Sequence, residues 1–244
     1  DSLLFVGAYL FVGKWLRDAV YWVAAGSQLR GSLGEALGKL YVDDVFPPEA
    51  KAEAEEMVDN ILIAFGERID ALEWMSEETK KAAHHKLANF TVKIGYPNKW
   101  KDYSSLVVEK ESESYSFFGN VIHASVFGHY EAVAKIGKPV DKEEWHMNPQ
   151  TVNAYYSPIS NEIVFPAAIL QPPFYYYQAD PAINFGGIGA VIGHEISHGF
   201  DDQGSRFDAE GNMVNWWNEE DKAGFDERAQ QLVAQWNEYE VLPG

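Results

Sequence analysis

Between Glu49 and Leu72 apolar residues return every three or four positions, at Met57, Ile61, Ala64, Phe65 and Leu72, with charged residues between them. That period predicts a helix over about 49–72 with one buried face. Glu53, Glu55 and Glu56 fall on its solvated side. Phe46-Pro47-Pro48 breaks the chain just before it, since proline suits the first helical turn. Upstream, Ser32 to Val42 is compatible with a helix interrupted by Gly34 and Gly38. Downstream, Ser76 is placed to cap a helix reaching about Phe90, with Glu77 and Glu78 at its positive end. Ile94-Gly95-Tyr96-Pro97 then makes a turn or short strand, and a further helix is expected from about Phe117 to Lys135.

The period changes in the second half. Thr151 to Tyr156 and Glu162 to Phe165 read as extended segments of a hairpin with a long loop. Gln171-Pro172-Pro173-Phe174 is a rigid turn. A helix is expected from about Gly187 to Gly199, and Asp208 to Asn212 has turn chemistry. Asn218 should cap a last helix, with Glu219, Glu220 and Asp221 in its first turn and Phe225, Leu232, Val233, Trp236 and Tyr239 on its apolar face. Leu3 to Val12 is apolar but too short to span a bilayer, and it lacks the basic start of a signal peptide. It reads as a buried helix or strand.

Composition narrows the function. The chain has 244 residues, enough for one large domain or two small ones, and 46% of them are hydrophobic. A net charge of −18 repels phosphate backbones and anionic membrane surfaces, so nucleic acid is not an expected partner. No membrane-spanning segment is expected either. With no cysteine, thiolate metal ligands, thiol catalysis and disulfides are excluded.

The sharpest chemical signal is His194-Glu195-Ile196-Ser197-His198. On a helix, positions i and i+4 share a face, so two imidazoles can reach one metal ion. The glutamate between them is placed to act as general base on water. Ile188, Val191, Ile192 and Ile196 make the helix apolar on most sides, which predicts burial. The bland alternative is a pair of core histidines satisfied by hydrogen bonds. Adjacent His84 and His85 point apart and read as surface residues; His123, His129 and His146 lack ligand spacing. Gly186-Gly187-Ile188-Gly189 lacks the ending of a phosphate loop and reads as close backbone packing.

From about Ser32 to Gly244 the chain resembles the neprilysin-like zinc endopeptidases, which include bacterial oligopeptidases. The segments that carry the resemblance are Asn153-Ala154-Tyr155-Tyr156, Ile163 to Ala167, and Leu170-Gln171-Pro172-Pro173-Phe174. Gly186 to Gly189, the histidine helix running into Gly199-Phe200-Asp201-Asp202, Trp216-Trp217, and Trp74-Met75 with Ile94 to Pro97 complete the set. Asp1 to about Arg30 resembles the family poorly.

The resemblance implies an α+β, mostly α fold. Residues 115–244 would be the first part of a thermolysin-like zincin lobe, incomplete at its C-terminus. Residues 1–114 would be helices that partly belong to a covering lobe. It implies one Zn2+ ion held by His194 and His198, with Glu195 acting on a zinc-activated water. It implies that Asn153 and Ala154 hold the substrate backbone, as an extended edge segment can. Asp201 or Asp202 is the candidate to orient a ligating imidazole; a solvated helix end is the alternative for both.

Catalytic zinc takes three protein ligands, and this helix supplies two. In the resembling family the third is a glutamate in a Glu-Asn-x-x-Asp motif. The 46 residues after His198 contain no such pair. Glu238 and Glu240 on the final helix are the candidate local substitutes. The favoured expectation is that the chain is a piece of a longer protein, with the third ligand on a complementary C-terminal polypeptide. The expected function is hydrolysis of oligopeptides; the rival is a peptide-binding module or inactive fragment with an incomplete metal site. The resemblance favours an extracytoplasmic, periplasmic or secreted location.

Overall fold

The computed structural model describes residues 33–110 and 117–239. The expectations for Leu3 to Val12, for Asp1 to Arg30, for the division near Tyr115 and for Glu240 lie outside those residues. The described chain is mostly helical, with one three-stranded sheet. The elements are α1 (Gly34–Val45), α2 (Pro48–Asp70), α3 (Glu77–Ala88), β1 (Thr91–Gly95), α4 (Phe117–Val133), β2 (Tyr155–Ser157), β3 (Glu162–Pro166), α5 (Pro181–Gly186), α6 (Ile188–His198), a 3-10 turn (Gly204–Arg206) and α7 (Glu219–Asn237). The sheet order is β1-β3-β2, so β2 lies at an edge. No described helix is long and apolar enough to cross a membrane.

Two compact units divide the chain. One takes residues 33–55, 93–110, 117–154 and 164–188; the other takes 56–92, 155–163 and 189–239. In the first unit Phe46, Ala50, Ile94, Phe165 and Leu170 are buried. Tyr175 joins them through a hydrogen bond from its hydroxyl to the carbonyl of Ala50 (3.3 Å). Gly34 and Gly38 do not interrupt α1. They are packing positions, where a side chain would collide with Asn148 and with Pro149 and Gln150.

The second unit closes around Ile69, Met75, Ala83 and Trp217, flanked by Phe65, Leu72, Trp74, Leu87, Phe200, Trp216 and Phe225. Trp74 and Trp217 stack with ring centroids 5.9 Å apart. The cap at Ser76 forms as expected, its hydroxyl accepting from the N–H of Thr79 (3.3 Å). The cap at Asn218 accepts from the N–H of Asp221 (2.7 Å). The Asp221 carboxylate in turn accepts from the Ser76 N–H (2.8 Å) and hydroxyl (2.5 Å), tying the starts of α3 and α7 together.

Three expectations change. The first hairpin strand is only Tyr155–Ser157, and the short helix α5 was not anticipated. The apolar face of α7 is covered only near its start: Phe225 packs on Trp74 and Trp217, whereas Leu232, Val233, Trp236 and Tyr239 are exposed. A helical period shows which residues share a face; what covers that face depends on a neighbour elsewhere in the chain.

Candidate metal centre

Helix α6 carries the paired histidines. Ile188, Ile192 and Ile196 recur at four-residue spacing and are fully buried, so they fix which side of the helix faces inward. Burial on most sides, expected from the sequence, does not hold. His194 is exposed and His198 half-exposed, so the imidazoles lie on an open face, and only Glu195 of the three is buried. Gly187, just ahead of the helix, is in tight contact: a β-carbon there would stand 2.5 Å from the carbonyl oxygen of Phe174, as close backbone packing requires.

The two Nε2 atoms face each other at 3.0 Å, with the rings nearly perpendicular at 81°. Two nitrogens bound tetrahedrally at zinc–nitrogen distances of about 2.0–2.1 Å stand roughly 3.3 Å apart. The pair therefore fits one ion with little adjustment. His198 Nδ1 lies 2.8 Å from Asp201 Oδ2. A proton on Nδ1 held by this carboxylate leaves the Nε2 lone pair for a metal. Asp201 is the oriented aspartate of the two. Its Oδ1 accepts from the N–H groups of Gln203 (2.9 Å) and Gly204 (2.8 Å), whereas Asp202 accepts from the Gln203 side chain (2.6 Å). Burial works to raise the Asp201 carboxyl, but the Gly204 N–H, the His198 ring and the Gln203 N–H outweigh it and hold it below the ordinary carboxylate range.

Glu195 is driven the other way. Burial raises its carboxyl above the ordinary range, against the pull of both imidazoles and of the Tyr156 backbone N–H, which donates to it. A carboxylate made more basic beside two converging imidazole nitrogens suits proton abstraction from water. Tyr156 belongs to edge strand β2, so the strand reaches the site through its main chain, a role the sequence reading missed. The signal was present: Tyr155-Tyr156 directly follows the segment singled out for substrate binding. Asn153 and Ala154 precede β2 without strand structure and fall in the other compact unit, Asn153 exposed and Ala154 buried.

Among the described residues no third histidine, aspartate or glutamate completes a metal-ligand group with the pair, Glu238 included. His84 and His85 behave as surface residues. His84 pairs with Asp70 (2.7 Å) and His85 with Glu210 (3.2 Å).

Comparison with known proteins gives one family. Two sequence models, both described as Peptidase family M13, match residues 13–97 and 153–243. The first reaches back well before Ser32, farther than the motifs alone had shown. Human neprilysin is 39% identical over 229 residues, covering 91% of this chain and 30% of its own length. Human endothelin-converting enzyme 1 is 39% identical over 225 residues, covering 90% and 29%. The chain thus spans about a third of the curated relatives it matches. The zinc metalloprotease Zmp1 of Mycobacterium tuberculosis superposes with a TM-score of 0.77 at 50% identity, covering 87% of this chain and 32% of that one. PepO of Lactobacillus rhamnosis gives 0.75 at 36% identity, covering 84% and 32%.

Proposed function

The chain belongs to peptidase family M13, and from that membership we propose that it carries the water-activating half of a zinc-dependent endopeptidase that cleaves oligopeptides. The observation that carries the reading is the convergence of His194 and His198 Nε2 at 3.0 Å beside the buried, base-shifted carboxylate of Glu195. Zinc held by that pair would polarise a scissile carbonyl and acidify water. Glu195 takes the proton of the attacking water and delivers it to the leaving amine nitrogen. Tyr156 N–H holds the carboxylate in place, and Asp201 holds His198 in the tautomer that presents Nε2.

Asn153 and Ala154 are proposed to pair with the substrate main chain, as an extended segment ahead of an edge strand can do. The third zinc ligand is proposed to come from outside the described residues, on a complementary C-terminal polypeptide segment. In this reading residues 115–244 supply the first part of the catalytic lobe, and the helices of 1–114 contribute in part to a covering lobe. An extracytoplasmic location accompanies it.

The test is Glu195→Gln in the active protein, which keeps shape and removes the base. Peptide hydrolysis should fall by about 100-fold or more while zinc content stays stoichiometric. Undiminished hydrolysis would eliminate Glu195 as the base.

A further inference from the structure

We infer that Lys86 is a positioning residue for the metal ligand His198, acting through the turn at Gly204–Arg206 and through Asp201. This rests on the zinc reading above. Lys86 is on α3, far from the histidines in sequence, and is only 1% exposed. Its Nζ donates to the carbonyls of Gly204 (2.6 Å) and Phe207 (2.8 Å). The ammonium also faces the rings of Tyr156, Phe200 and Trp216 at 5.8, 5.9 and 5.7 Å.

A buried cation is costly, and an apolar side chain of the same length would pack among three aromatic rings without that penalty. The charge therefore has a directional use. Both carbonyls it holds belong to the loop that carries Asp201. The other side of that loop faces the metal ligand: Gly204 N–H donates to Asp201 Oδ1, and Asp201 Oδ2 meets His198 Nδ1, each at 2.8 Å. Lys86 thus anchors from behind the turn that aims the carboxylate at the imidazole. Its own carbonyl extends the arrangement towards Glu195. It accepts from Asn161 Nδ2 (3.1 Å), Asn161 Oδ1 accepts from the Tyr156 hydroxyl (3.1 Å), and the Tyr156 N–H donates to Glu195. Burial outweighs the opposing pull of Asp201 and Asp208 and lowers the Lys86 ammonium to about 8.

The experiment is a double-mutant cycle on zinc affinity, read by chelator competition on the intact protein. Lys86→Met should weaken zinc about 10-fold, the lower end for an outer-shell partner. In the Asp201→Asn background the same change should cost less than about threefold, because the route through Asp201 is already cut. Equal losses in both backgrounds, or unchanged affinity in Lys86→Met, would overturn the inference. A second readout needs no metal. The 15N shifts of the His198 ring should show a fixed Nδ1–H tautomer in the parent and a mixed one in Lys86→Met; an unchanged ring would overturn it equally. A parent protein that binds no zinc but shows the fixed tautomer refutes the zinc reading alone, and the ring shifts still decide the role of Lys86. Should Lys86→Met fail to fold by circular dichroism, Lys86→Gln, neutral and shorter, takes its place in both measurements.

Discussion

Replacing Gly204 by alanine adds one methyl group, touches neither histidine ring, and should still damage the proposed metal centre. A β-carbon at Gly204 would lie 1.9 Å from the carbonyl oxygen of His198, 2.6 Å from the carbonyl carbon of Gly199 and 2.8 Å from its oxygen. All three are backbone atoms, so no rotamer change relieves the contact. The loop must retreat from the end of α6 by roughly 1 Å or more to restore ordinary van der Waals separation. Overpacking of this kind costs about 1–3 kcal/mol, and the backbone identity of the obstacles puts Gly204→Ala near the upper end. The retreat carries Asp201 with it. Its 2.8 Å bond to His198 Nδ1 would stretch past the distance at which a hydrogen bond is retained. Two measurements follow. Urea unfolding should show a lower midpoint, corresponding to about 2–3 kcal/mol at an unchanged slope. Chelator competition should show zinc affinity reduced about 10-fold. A loss under about 0.5 kcal/mol, the scale of neutral surface changes, with unchanged zinc affinity would refute the reasoning.

Two further outcomes are expected. Burial works to raise the Asp221 carboxyl, yet hydrogen bonds from Ser76, Thr79 and Asn218 hold it below its ordinary value. Its folded pKa is thus lower than its unfolded one, so its contribution is complete above the unfolded pKa and drains away as pH falls through the folded value. Asp221→Asn should therefore be less stable at neutral pH and lose less stability between about pH 5 and 2 than the parent, as urea midpoints across that range would register; parallel pH profiles would contradict it. Asn161 sits at φ 48°, a left-handed conformation that asparagine tolerates better than alanine, and its side chain makes the two bonds to Tyr156 and Lys86. Asn161→Ala should cost about 2–3 kcal/mol by thermal or urea unfolding, combining backbone strain with two lost hydrogen bonds, one of them buried. A cost near zero would show that the β2–β3 turn does not depend on it.

Much of this protein is local, and the local part could be read from residue order. Helix α2 matches the period of Met57, Ile61 and Phe65, and the caps at Ser76 and Asn218 form where short polar side chains precede acidic first turns. The pairing of His194 with His198 is local too, because 3.6 residues per turn brings i and i+4 together whatever surrounds them. Residue order also pointed to the family, since its motifs recur here in register.

Tertiary structure decided everything that required a distant partner. It chose Asp201 over Asp202, because the turn at Gly204 directs two N–H groups at Asp201 alone. It turned the imidazoles to the open face and buried Glu195, because the isoleucines of α6 claimed the inward side. It left the end of α7 exposed although its period is amphipathic, and it placed Lys86 against carbonyls 118 and 121 residues away. The division has one physical cause. Helical phase and capping depend on backbone geometry within a few residues, whereas the partner of a buried polar or charged group is set by which distant segment packs against it.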